Sequence, residues 1–326
     1  MPGPLGTGGG GGGGTSVTQV TFAEATAAPN ATVYVDSITA AGASTAVDLA
    51  LRPKGNGALL ADIPDDSQTK GVKRGAYATD WSRSRDNSQA VASGLASTIS
   101  GGANNYASAE NSTISGGNGN QVSALNSTIG GGFQNVASGT GSSVLGGNYN
   151  EASGIYSSTP GGREGKAELY GKFAYASGKE RYKGDSQFGL IVCRGQLYGA
   201  SPINLTSDGS STFSATNHLV LPDNRAYRFT IDIVASAGAT AGSFLLGSSG
   251  AYWSITGAIR RHSGVATTAI IGTPTVLATA VDSAFAALSF TVLAEATTYG
   301  SLQIVATGLA STYIRWVATI MTTEVG

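Results

Sequence analysis

Between residues 90 and 162 the chain repeats itself at a step of 15 residues. Ile99, Ile114, Ile129 and Val144 fall on that step, as do Asn105, Asn120, Asn135 and Asn150. Glycine pairs recur at Gly101-Gly102, Gly116-Gly117, Gly131-Gly132, Gly146-Gly147 and Gly161-Gly162. A unit this short cannot be a helical-repeat solenoid, whose units run to about 33 residues or more. It fits one coil of a β-solenoid with two short strands and two turns. The glycine pairs supply the positive φ that a tight corner requires. The Ile/Val ladder then points inward from one strand, and Ala107, Val122, Ala137 and Ala152 from the other. Stacked Asn side chains can bond their neighbours above and below, with successive coils rising about 4.8 Å.

Such a roll has a thin core. Burying a Val or Ile yields about 1.5–3 kcal/mol, while ordering the backbone costs about 1–2 kcal/mol per residue. Three copies packed side by side would bury a second face of every coil. The thinness of the core therefore leads us to expect a homotrimer.

The flanks differ from the repeat. Residues 1–16 form a glycine-rich tether whose Gly8–Gly14 run reaches roughly 15 Å. Residues 17–89 alternate short β-like runs with turns and are read as an attachment or shaft segment; Val33-Tyr34-Val35 and Val47–Leu51 are its clearest strands. The roll is assigned to 90–165. Residues 166–202, with Lys179, Glu180, Arg181, Lys183 and Asp185, are read as a transition segment. From 203 to 326 the period becomes two: Tyr227, Phe229, Ile231 and Ile233 alternate with polar residues, as do Trp253, Ile255, Gly257 and Ile259, and Ile314, Trp316, Ala318 and Ile320. At least five such strands with Gly, Ser and Asp turns predict an antiparallel β-sandwich, jelly-roll-like. The fold class expected for the whole chain is all-β.

Composition narrows the chemistry. Only 12% of residues are charged and the net charge is −1, so a nucleic-acid partner is not expected. The single cysteine, Cys193, excludes an intrachain disulfide and reads as a buried hydrophobe. No apolar run is long enough for a transmembrane helix, and no secretory signal is seen, which implies synthesis in the cytoplasm. His218 and His262 have no partners at ligand spacing, so no metal or cofactor is expected. Acidic pairs that might cleave a polysaccharide are Asp65-Asp66, Glu164 with Glu168, and Asp80 with Asp86. They read better as turn and surface residues, and the expectation is that the chain is not an enzyme. The glycine pairs lack the following Lys-Ser/Thr of a phosphate loop.

Candidate binding residues lie in the last domain. Arg260 and Arg261 suit an anionic glycan, because guanidinium forks match phosphate and carboxylate; a solvated strand end is the alternative. Trp253 and Trp316 share a face with Ile residues and read as core. Tyr252 lies on the opposite face and Tyr299 precedes Gly300 in a turn, so both are candidate sugar contacts. Phe244 belongs to an apolar trio bounded by glycines, either a short strand or an exposed tip. The segments Ala235–Gly250 and Ser263–Asp282 read as long loops.

Two resemblances attach to these residues. The roll resembles the YadA-type head of trimeric autotransporter adhesins. The run Ala50 to Leu60 with its Arg52-Pro53-Lys54-Gly55-Asn56-Gly57 turn, then Lys73-Arg74-Gly75-Ala76, Asp80-Trp81 and the Gly-Gly repeats, resembles phage tail-fibre proteins. So does the end of the chain, with Leu221 to Tyr227, Gly257 to Arg261 and Ile314 to Ala318. The tail-fibre resemblance implies a homotrimer located in the virion, its N-terminal end held by a tail or baseplate protein. Its C-terminal domain would face a host-surface glycan or outer-membrane component. No autotransporter barrel and no self-cleaving chaperone domain is recognised, so the visible domains are expected to drive assembly. The expected function is a structural and adhesive fibre. The rivals are a polysaccharide-depolymerising tailspike and a purely structural baseplate or collar part.

Overall fold

The computed structural model describes residues 20–25, 35–40, 56–61, 63–238 and 246–326. The chain divides into two units, residues 1–53 and 54–326. In the first, strands β1 (Val20–Ala25) and β2 (Val35–Ala40) pair antiparallel, Val20 opposite Ala40. The glycine tether and the run Val47–Leu51 lie outside the described residues.

The second unit is all-β, with no α-helix among the described residues. It opens with the solenoid. One wall stacks β3 (Leu59–Leu60), β4 (Thr79–Asp80), β5 (Thr98–Ile99), β7 (Thr113–Ile114), β9 (Thr128–Ile129), β11 (Ser143–Val144), β13 (Ser158–Thr159) and β15 (Phe173–Tyr175). The other wall stacks β6 (Tyr106–Ala107), β8 (Gln121–Val122), β10 (Val136–Ala137), β12 (Glu151–Ala152) and β14 (Lys166–Ala167). All pairs within each wall are parallel, and from β5 onward they are in register at the repeat step, for example Ile99 with Ile114 and Ala137 with Ala152. The wall thus begins at Leu59, ahead of the repeat itself. A ladder of single bridges, Ala103 to Asn118 to Phe133 to Asn148 to Arg163, adds an edge to each coil that the two-strand reading did not contain.

The repeat positions explain the coil. Ile99, Ile114, Ile129 and Val144 stack with no exposure, facing Ala107, Val122, Ala137 and Ala152. Each buried Asn closes the corner. Asn120 donates from Nδ2 to Gly116 O at 3.0 Å in its own coil and to Gly132 O at 3.1 Å in the next. Its Oδ1 accepts from the Asn135 backbone N–H at 3.0 Å. Asn105, Asn135 and Asn150 make the same set. The second glycine of each pair has no room for a side chain: a Cβ on Gly117, at φ +84, would lie 2.2 Å from Gly132 O.

The C-terminal sheet grows directly from the first wall. β16 (Ser186–Tyr198) pairs antiparallel with β15, Tyr175 opposite Phe188, and with the last strand over its whole length. Next come β17 (Pro202–Asn204), β18 (Leu219–Val220), β19 (Arg225–Gly238), β20 (Leu246–Arg261), β21 (Ala269–Val281), β22 (Ser289–Glu295), β23 (Ser301–Thr307) and β24 (Tyr313–Val325). The order β21-β20-β19-β24-β16 continues the solenoid wall, giving one sheet of 13 strands. A smaller sheet, in which β23 pairs with β17, β18 and β22, covers one face and completes the sandwich. The core between them holds Phe229, Ile231, Ile233, Ile255, Leu302 and Ile320. Trp253 stacks on Trp316 within it, at 5.8 Å between centroids, and meets Phe290 edge-on.

Two boundaries differ from the sequence reading. The segment 166–202 is not a passive transition, since β16 lies between β15 and β24 in the sheet. The segment Ser263–Asp282 is largely the edge strand β21. Gly272, at φ +69, and two register shifts against β20 disrupt the alternation that marks a strand in the sequence.

Candidate functional site

Because a sheet alternates its side chains, the face of β16, β24, β19 and β20 opposite the sandwich core carries its own set of residues. Val317, Val234 and Tyr252 lie side by side on adjacent strands of that face, 45%, 51% and 36% exposed. Phe188 and Val192 extend it along β16, and both are exposed. The apolar character runs on into the solenoid wall. Leu145, Pro160 and Tyr175 succeed one another at the repeat step, and Tyr175 pairs with Phe188. Edge strand β21 adds exposed Ile271, opposite Ala258 of that face. Contiguous apolar surface on this scale marks an interaction surface.

The residues singled out from the sequence are scattered. Tyr252 belongs to the apolar face, its hydroxyl 3.3 Å from Asp232 Oδ1, and lines a shallow basin with Val234, Ser236, Gly250 and Ala280. Arg260 is exposed at the end of β20, opposite Ala226. Arg261 points the other way and is used as a brace: Nη1 donates to Leu221 O at 2.8 Å and Tyr299 O at 3.1 Å, and Nε pairs with Asp223 at 2.6 Å. Tyr299 donates from its hydroxyl to Phe213 O and meets the His218 ring edge-on. Phe244 lies outside the described residues. Trp253 and Trp316 are buried.

The acidic pairs have separate partners. Asp80 occupies the ladder position next to Ile99 and is buried against Arg74, Nε to Oδ2 at 2.7 Å. Asp86 bonds Asn104, and Asp65 pairs with Lys70 at the surface. Glu164 pairs with Lys179, and Glu168 with Lys172. Cys193 is buried, which pushes its thiol up to about 12.

A charged cluster at the junction of solenoid and sandwich escaped the sequence reading, because its members come from distant segments. Lys172, in the last coils, is buried between Glu168 at 3.4 Å and Glu324 of β24 at 3.0 Å. Burial opposes its charge, but the two carboxylates outweigh that and hold its pKa above the usual lysine range. Gln187 ties Glu324 to the solenoid, bonding Glu324 Oε2 at 2.7 Å and the Lys166 carbonyl at 3.0 Å. Burial, reinforced by Glu324 and Glu168, pushes Tyr227 well above the usual phenol range. Asp185 accepts from the backbone N–H groups of Glu180, Arg181 and Tyr182 and faces Arg225 at 3.9 Å. Above this cluster opens a cleft of about 270 Å³, lined among others by Glu151, Lys166, Glu168, Tyr182, Arg225 and Tyr227. Lys183 at its rim pairs with Glu151 at 3.3 Å.

No protein-family model and no curated protein matches the sequence. Among solved structures the chain is similar to the tailspike protein of Acinetobacter phage vB_ApiP_P1, at 11% identity and TM-score 0.23, covering 78% of this chain and 54% of that one. It is also similar to the tailspike of Acinetobacter baumannii phage AM24, at 8% identity and TM-score 0.24, covering 76% and 52%. A third is tailspike protein gp49 of Acinetobacter baumannii bacteriophage Fri1, a capsular polysaccharide depolymerase, at 10% identity and TM-score 0.21, covering 69% and 46%. The chain spans about half the length of these proteins. At such low similarity their activities are not carried over to this chain. Against the expectation of a non-enzyme stands one of these neighbours, described as a capsular polysaccharide depolymerase.

Proposed function

We propose that this chain is a virion attachment protein of the phage tail-fibre or tailspike kind, assembled as a homotrimer. In this reading the N-terminal segment is held by a tail or baseplate protein and the solenoid is a stiff spacer. The C-terminal sandwich meets a host-surface glycan or outer-membrane component. The observation that supports it most is the apolar face running from Leu145 through Tyr175 and Phe188 to Val317 and Val234. A spacer that buries little of its own surface gains its stability by sharing that face with copies of itself. The test is the solution mass of the full chain by light scattering. Three times 32.6 kDa is expected, and Val192→Lys with Val317→Lys should dissociate it and abolish adsorption to host cells. A folded monomer as wild type sinks the reading.

A second reading, a polysaccharide-cleaving tailspike, is favoured by one feature: Glu151 and Glu168 line the same cleft, and glycosidic cleavage commonly uses two carboxylates. Release of reducing ends from capsular polysaccharide, lost in both Glu151→Gln and Glu168→Gln, supports it. Absence of release from the capsule of a host to which the protein adsorbs removes it.

A further inference from the structure

We infer that the junction cleft binds an acidic saccharide, a sugar ring carrying a carboxylate. This rests on the attachment reading and names a ligand class and a place for it. The cleft has a lining cation without an ion-pair partner and an exposed aromatic ring, Tyr182, at its rim.

Among the cations around the cleft, Lys183 is paired with Glu151, Arg225 with Asp185, and Lys172 with Glu168 and Glu324. Lys166 is the one lining cation with no ion pair among the described residues. Its backbone is held on both sides by Gln187, at 2.9 Å through N–H and 3.0 Å through the carbonyl, so its place on the cleft wall is fixed by the fold. The cleft therefore offers an ammonium for an anion, which a neutral sugar leaves unmatched.

The rim supplies the second element, which a lone phosphate or carboxylate leaves unused. Tyr182 is 54% exposed, with the Arg181 guanidinium 5.0 Å and that of Arg225 6.0 Å from its ring centroid. An exposed ring held in this way is a stacking surface for the apolar face of a pyranose. At about 270 Å³ the cleft is just below the range of small-ligand pockets, roughly 300–1,000 Å³. It therefore suits one residue of a glycan rather than a long segment. Its place between two structural parts is where ligand pockets commonly form.

The test is calorimetric titration of the full chain with galacturonate, glucuronate, galactose and acetate. At least one uronate is expected to bind ten-fold or more tighter than galactose and acetate. Lys166→Gln should bring the uronate to the level of galactose, with an unchanged melting temperature. Tyr182→Ala should weaken uronate and galactose alike. Acetate binding as tightly as the uronates makes the cleft a simple anion site and overturns the inference. So does the absence of binding by both uronates, or an unchanged affinity in Lys166→Gln. If the uronates fail while the protein is trimeric and adsorbs to host cells, the cleft assignment falls and the attachment reading stands. A monomer that binds a uronate gives the reverse result.

Discussion

Lys172 Nζ lies 3.0 Å from Glu324 Oε1 with both side chains withdrawn from solvent, joining the last coils of the solenoid to the final strand of the chain. Removing either partner leaves the other buried and uncompensated, at about 3–5 kcal/mol. Lys172→Met and Glu324→Gln are each expected to lower stability by that order in urea titrations. The double variant should recover part of the loss, because the stranded charge is gone. The lysine's folded-state pKa is raised, so its contribution is whole below about 10.5 and is lost as pH rises through the folded value. Wild type should weaken more steeply above pH 10 than the double variant does.

The glycine pairs make a sharp contrast. Gly117→Ala sets a methyl against Gly132 O at a backbone angle that L residues rarely adopt. A loss of about 2–4 kcal/mol is expected. Gly146 has open space around its missing Cβ and no positive φ. Gly146→Ala should be neutral or stabilising by up to about 1 kcal/mol. Thermal melts of the two variants check this, and equal losses contradict it.

Asn120 serves two carbonyls and one N–H. Asn120→Asp retains the acceptor but turns a carboxylate toward Gly116 O and Gly132 O. It should be destabilising at pH 7 and regain stability on acidification toward pH 4, where a protonated carboxyl can again donate. Asn120→Ala should lack that regain, and melts at the two pH values distinguish them.

Acid acts elsewhere through His218, which is buried beside Phe213 and Tyr299. Burial lowers its pKa to about 4, against the opposing pull of Glu295. A folded-state value below the ordinary 6.5 means the contribution is whole above pH 6.5 and is lost as pH falls through 4. The loss amounts to about 3 kcal/mol. Glu295 follows at lower pH. Burial opposes its charge, but donors from Thr297, Thr298 and Tyr299 bring it to about 2, so its share goes between 4.5 and 2. His218→Phe should flatten the stability profile between pH 6.5 and 4 and leave the lower limb in place.

The solenoid was legible in the sequence because its chemistry is local. The inward Ile, the corner Asn and the closed glycine each recur at one step, and a repeat displays them side by side. The sandwich core was legible through alternation, which set Trp253 and Trp316 inside. What stayed hidden depends on long-range pairing. Ser186–Tyr198 was read as transition because the charges before it dominate, yet its partner is Tyr313–Val325. The same holds for Lys172, whose neighbour Glu324 lies 152 residues away. Arg261 read as an exposed anion contact because sequence alone does not reveal that Leu221 O and Tyr299 O converge on it.

The 13-stranded sheet has a mechanical consequence. Its parallel strands give way to antiparallel ones at the pairing of Tyr175 with Phe188, without a break in the ladder. Solenoid and sandwich are thus fused through backbone bonds, and the buried Lys172 and Glu324 tie pins the joint from the inside. A pull or a twist applied to the sandwich passes directly into the coils, with no flexible linker between them to absorb it.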